Sequence, residues 1–173
     1  MDEPKRDLIL LNTMNAPEAA HEFLKCCGSL QWANRMVESR PFESIESLKH
    51  RAAQIWWDLK PDDWLEAFRS HPKIGETKAA KDVSRQAQKW SGQEQGGVQN
   101  SPQEILNELA KLNQKYESKF GYIFIVCATG KSPAEMLGIL KSRIGNDSET
   151  ELPIAAGEQA KITEIRLRKL LEF

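Results

Sequence analysis

Cysteine is scarce in this sequence of 173 residues: Cys26 and Cys27 are adjacent and Cys127 stands alone. An odd number without CxxC spacing excludes a zinc ribbon and points to a reducing compartment. Long apolar runs are missing too. The N-terminal "MDEPKRDLILLNTMN" holds only four consecutive apolar residues, far short of a signal-peptide core or of the roughly 20 that span a membrane. The closing "RKLLEF" is not a peroxisomal SKL-type tripeptide. A soluble, cytoplasmic protein is expected. Neither sign of charge dominates, with 24 Lys and Arg against 25 Asp and Glu, so no basic field exists to hold nucleic acid or an anionic membrane. A small-molecule or protein partner is expected instead.

The common catalytic motifs are absent as well. No two of His21, His50 and His71 lie within helical or hairpin reach of each other in sequence, and there is no HExxH, HxH or EF-hand pattern. No metal site is expected, and His21 and His50 read as residues of solvated helix faces. The chain has no GxSxG elbow, glycine-rich phosphate loop or dinucleotide fingerprint, so acyl-transfer, kinase and dehydrogenase readings lack their equipment. Without a 20 to 50 residue period, a solenoid is excluded.

What is present is helical spacing with capping chemistry between segments. With 40% hydrophobic residues, a chain of this length buries roughly 70% of its unfolded surface. An all-α fold of about seven or eight helices is expected, as one bundle-like domain spanning 1–173. Asn15-Ala16-Pro17 opens a first helix that breaks near Gly28-Ser29, and Trp32, Met36 and Val37 mark a second. Ser44 caps a third, whose Ile45, Leu48, Ala52, Ile55 and Leu59 form one stripe. Pro61, Asp62 and Asp63 suit the first turn of the next. Thr77 to Lys89 reads as a surface helix and "WSGQEQGGVQNSP" as a loop with at most one helical turn. Ser101-Pro102-Gln103-Glu104 and Ser132-Pro133-Ala134-Glu135 are capping boxes with proline at the first helical position. Between their helices, "GYIFIVCATG" is either a short extended segment or a buried helix end. The last helix runs from near Ser148 or Thr150 to about Leu171. Pro153 past its first turn would cost about 3 kcal/mol, which argues for a later start.

Three places could carry chemistry. His71 follows an amphipathic stretch, "WLEAFRSHPKIGE"; Pro72 disfavours helical backbone for it, and Gly75 lets the chain turn away. Its imidazole would sit at a helix C-terminus, where the dipole favours the protonated form. A plain C-terminal cap is the structural alternative. Ser91, Glu94 and Gln95 in "WSGQEQGGV" offer a hydroxyl, a carboxylate and an amide, although Ser91-x-x-Glu94 also matches a capping box. Gly96-Gly97 suits a backbone bent closely around something. Arg166 shares the apolar face of Ile162 and Leu170, so it needs an anionic ligand or an internal ion pair. Cys127, in an apolar run, would be an inert thiol. A histidine, a glutamate and an arginine on separate segments suit proton transfer on an anionic substrate without a cofactor.

Together, "FRSHPKIGE", "WSGQEQGGV", "FGYIFIVCATGKSPAEML", "RIGNDSETEL" and "EQAKITEIRLRKLL" resemble the 2-oxo-4-hydroxy-4-carboxy-5-ureidoimidazoline (OHCU) decarboxylases of urate breakdown, from about residue 10 to the end. The resemblance implies a cofactor-free, all-helical decarboxylase, commonly a homodimer, that forms (S)-allantoin and CO2. Carried over by motif, His71 would be catalytic and oriented by Glu94, and Pro72 would line the pocket. Ser91, Gly92, Gln93, Glu94 and Gln95 would bind the substrate. Phe124, Ile125, Val126, Cys127 and Ala128 would contribute main-chain groups, and Arg166 would hold an anionic or carbonyl edge. The competing readings are a helical binding module without catalysis and an enzyme acting on another ureido or imidazole compound.

Overall fold

The computed structural model describes residues 6–74, 85–96 and 102–172. These form nine helices: α1 (Arg6–Thr13), α2 (Ala16–Cys26), α3 (Leu30–Glu38), α4 (Ile45–Trp57), α5 (Pro61–Arg69), α6 (Arg85–Glu94), α7 (Gln103–Phe120), α8 (Pro133–Arg143) and α9 (Ser148–Leu170). No strand occurs among the described residues, so the all-α expectation holds. Contacts group the chain into two units, Met1–Ala67 with Ala160–Phe173, and Phe68–Gln159.

The first unit is built on Phe23, Trp32, Met36, Leu48 and Ile55, all fully buried. Asn15 caps α2 by accepting from the Glu18 N–H, and Ser44 and Ser47 close a reciprocal capping box on α4. The Trp32 indole N–H donates to the Ala52 carbonyl at 3.1 Å, which satisfies the ring's one polar atom inside the core. Helix α1 raises the number of helices above the expected seven or eight. Its short apolar run buries only Leu8 and Leu11 and leaves Ile9 and Leu10 exposed. What holds it comes from far along the chain. Arg40 donates to the Leu11 and Met14 carbonyls at 2.8 Å each, and Asn12 exchanges two 2.9 Å hydrogen bonds with the Phe42 backbone.

The second unit packs Leu109, Tyr116, Met136, Leu137 and Leu140 around the stretch Phe124–Ala128. That stretch is neither helix nor strand, which removes the helix-end reading of "GYIFIVCATG". Gly121 ends α7 with φ +81° and Gly130 turns the chain with φ +76°, backbone that a side chain strains. A chain buried outside helix and strand must satisfy its polar groups elsewhere. Side chains do so here: Arg143 donates to the Ile125 carbonyl at 2.7 Å, Lys131 to the Cys127 carbonyl at 2.8 Å, and the Cys127 N–H donates to Glu158 at 2.9 Å.

Arg143 is itself held by Glu151, which is fully buried. Glu151 Oε1 accepts from Arg143 Nε at 2.7 Å and from the Tyr116 hydroxyl at 2.5 Å, and Oε2 accepts from Asn146 at 2.9 Å. The guanidinium carbon also lies 4.7 Å from the centre of the Phe124 ring. Burial and the bond to Glu151 push the Tyr116 hydroxyl well above its ordinary pKa, so it stays a donor.

Three boundaries differ from expectation. The stretch expected to be a loop from Trp90 is helical through Glu94, because Ala87, Trp90 and Ser91 bury at i, i+3, i+4 spacing. Ser91 therefore lies inside a helix and opens no capping box. Helix α9 does not start late: it begins at Ser148 with Pro153 inside it. Glu149 and Pro153 are both exposed, so water can hydrate the carbonyl that the proline leaves unbonded, while Asp147 caps the first turn at the Thr150 N–H and Glu151 anchors the second. Pro102 takes the N-cap position of α7 rather than the first helical one. Ser101, and residues 77–84 of the expected surface helix, lie outside the described residues.

Replacing Glu151 by Gln leaves a buried guanidinium without its counter-charge. The expected loss is about 3 to 5 kcal/mol, read as a lower urea midpoint; a change below 1 kcal/mol would remove Glu151 from this role.

Candidate active site

Helix α5 delivers His71. Asp62 and Asp63 favour its N-terminus, the helix ends at Arg69, and the His71 N–H donates to the Phe68 carbonyl at 3.2 Å. Pro72 is buried behind it. The half-buried imidazole places Nε2 2.6 Å from Oε1 of Gln159 on α9. Helix α6 supplies buried Ser91 and half-buried Glu94 and Gln95, with Gly92 and Gln93 exposed. The Gln95 N–H closes the helix on the Ser91 carbonyl at 3.2 Å.

Phe124, Ile125, Val126, Cys127 and Ala128 are 2 to 6% exposed. The Cys127 thiol connects the segments electrostatically: burial raises its pKa most, Lys131 lowers it, and the carboxylates of Glu158 and Glu94 raise it again. Adjacent residues of α9 thus reach two places, Gln159 to His71 and Glu158 to the Cys127 backbone, with Glu94 close enough for its charge to be felt at the same thiol. His71, the α6 motif and the segment Phe124–Ala128 all belong to the second unit. A ligand that takes the Cys127 N–H has to displace the Glu158 carboxylate from it.

Arg166 belongs to the first unit. It is 4% exposed and donates from Nη1 to the Lys25 carbonyl at 3.3 Å. Its charge lowers the thiol pKa values of Cys26 and Cys27, but burial dominates at both and raises Cys27 to about 12. His21 and His50 are exposed, as their sequence positions suggest. Among the described residues, no group of three or more His, Cys, Asp or Glu could hold a metal ion.

Sequence reasoning missed Gln159, Glu158, Arg143 and Glu151. A signal for two of them existed. Along α9, Glu151, Ala155, Gln159 and Thr163 recur every fourth residue and all are buried, so Glu151 and Gln159 break an inward stripe just as Arg166 does. Glu158 and Arg143 had no such signal.

A buried non-helical backbone in an all-helical scaffold, with one carboxylate bonded to it and an imidazole bonded to the neighbouring residue of α9, defines the class: an all-helical protein with a candidate site built without strands. The chain belongs to the OHCU decarboxylase family, whose family model matches residues 12–168. It is 43% identical over 150 residues to the uric acid degradation bifunctional protein TTL of Arabidopsis thaliana, covering 86% of this chain and 46% of that one. It is 30% identical to the uric acid degradation bifunctional protein of Bacillus sp. strain TB-90, covering 92% of this chain and 31% of the relative. The chain therefore spans half or less of these curated relatives. A crystal structure of OHCU decarboxylase in the presence of (S)-allantoin superposes with a TM-score of 0.76 at 39% identity, covering 88% of this chain and 98% of that one.

The raised thiol pKa values of Cys26, Cys27 and Cys127 give an expected outcome. Each folded pKa is raised, so each thiol stays protonated as pH rises through the ordinary value of 9.0. Alkylation at pH 8 should modify none in the native protein and all three in urea; rapid native labelling would contradict this burial.

Proposed function

We propose that this protein decarboxylates 2-oxo-4-hydroxy-4-carboxy-5-ureidoimidazoline to (S)-allantoin and CO2 without a cofactor, with His71 as the proton-transfer catalyst. The observation that carries the reading is the connection from the imidazole through Gln159 and Glu158 to the Cys127 backbone, which the Glu94 charge also reaches. Two of the stretches that the motifs single out, His71 and Phe124–Ala128, are each bonded to one of two adjacent residues of α9, which supports a shared site over a binding module without catalysis.

The substrate carries its carboxylate and a hydroxyl on one ring carbon. When the bond to the carboxylate breaks, CO2 leaves and the electron pair drains into the neighbouring ring system. Charge that develops there is stabilised by cations and N–H donors. The buried segment Phe124–Ala128 and the α6 residues Ser91 to Gln95 bind the molecule, and N–H groups among them meet that charge. His71 exchanges a proton with the hydroxyl or ring and delivers one to a single face, which sets the enantiomer. Glu94 favours the charged imidazole during that exchange. The protein acts as a homodimer in the cytoplasm on this reading.

Urate, uricase and hydroxyisourate hydrolase generate OHCU in place, and circular dichroism then follows (S)-allantoin. Adding this protein should accelerate its appearance. His71→Asn should lose about 10² to 10⁴-fold with an unchanged melting curve; OHCU decay at the wild-type rate would end the assignment. Glu94→Gln should lose more activity than any stability change accounts for, and a loss proportional to unfolding would return Glu94 to a structural role.

A further inference from the structure

We infer that Gln159 is a positioning residue that fixes the tautomer of His71, so that the imidazole accepts and returns its proton through Nδ1. The catalytic half of this rests on the decarboxylase reading; the tautomer itself rests on geometry. Gln159 Oε1 lies 2.6 Å from His71 Nε2. A carbonyl oxygen only accepts, so the hydrogen in that bond belongs to Nε2. A neutral imidazole carries one ring hydrogen, and with that hydrogen on Nε2 the basic lone pair is the one on Nδ1.

The arrangement is built to hold. Gln159 is fully buried, where an amide left unbonded costs about 1 to 3 kcal/mol, so the bond to the imidazole is strongly favoured over a swing away. Ala155 and Ala156, one turn earlier on α9, are fully buried and leave the helix tightly seated. The preceding residue, Glu158, is bonded to the Cys127 N–H at 2.9 Å, which limits rotation of this turn. At the other end, the His71 N–H is held by the Phe68 carbonyl and its backbone by Pro72. The ring is thus held through its backbone and through Nε2. A neutral amide orients the ring while leaving the charge balance at the imidazole to Glu94. The histidine stays able both to take a proton and to give it back.

Long-range 1H–15N spectra of labelled full-length protein at alkaline pH read the tautomer directly, with His71 identified by its absence in His71→Asn and exposed His21 and His50 as solvent-exchanging references. The wild type should show one tautomer with an exchange-protected Nε2–H. Gln159→Leu should lose the protection and mix the tautomers. Gln159→Glu, of the same length and still an acceptor, should keep it. On OHCU, Gln159→Leu should lower kcat about 10 to 100-fold with a much smaller change in KM, as misplacement of a base does. A wild-type hydrogen on Nδ1, or a tautomer mixture indifferent to Gln159→Leu, overturns the assignment. A shifted tautomer with full kcat overturns the positioning role. If the leucine variant does not fold, the wild-type and Gln159→Glu spectra decide. Failure of the decarboxylase reading is separate: it appears as wild-type OHCU decay in His71→Asn while the wild-type tautomer signal is intact.

Discussion

The buried carboxylate of Glu151 is the constraint on which the second unit depends. A charge in a low-dielectric interior is tolerated only when paired and fully hydrogen-bonded, and Arg143, Tyr116 and Asn146 bring three segments to it for that reason. The consequence reaches the candidate site through one bond. Arg143, turned by Glu151, holds the Ile125 carbonyl and lets a non-helical chain lie in the core without a neighbouring strand. Without that side-chain ladder, the polar groups of residues 124–128 would pull the segment towards water.

Helix α9 is the common support. One inward face carries Glu151 for the core and Gln159 for His71, and Glu158 beside it binds the Cys127 backbone. Placing a structural carboxylate and a positioning amide on one rigid element couples fold to site geometry, since neither can move without the other. The same helix tolerates Pro153, because its early turns are secured by Asp147 and Glu151 and the unbonded carbonyl faces solvent.

Much of the fold was legible along the chain. Asn15, Ser44 and Ser132 announced α2, α4 and α8 because an N-cap is a contact between residues three apart. The inward face of α4 was readable from its spacing alone. Helix α1 was not, since Arg40 and Asn12 stabilise it across nearly thirty residues. The glycine-bearing end of α6 was misread because local turn propensity pointed one way and the burial of Trp90 and Ser91 decided the other. Among candidate site residues, His71 stood out by the proline after it and Arg166 by its place on an apolar face. Gln159 occupied an equivalent place and escaped notice because an amide on an apolar stripe is less conspicuous than a charge.

The sequence by itself determined the helical class, most helix limits and the motifs that identify the family, since each is written in neighbouring residues. Tertiary structure alone decided that "IFIVCA" is not helical, and that the imidazole of His71 meets the amide of Gln159, 88 positions away. Both are outcomes of burial. Once water is excluded, each polar group must find a partner, and which one it finds depends on the packing of segments that local spacing does not describe.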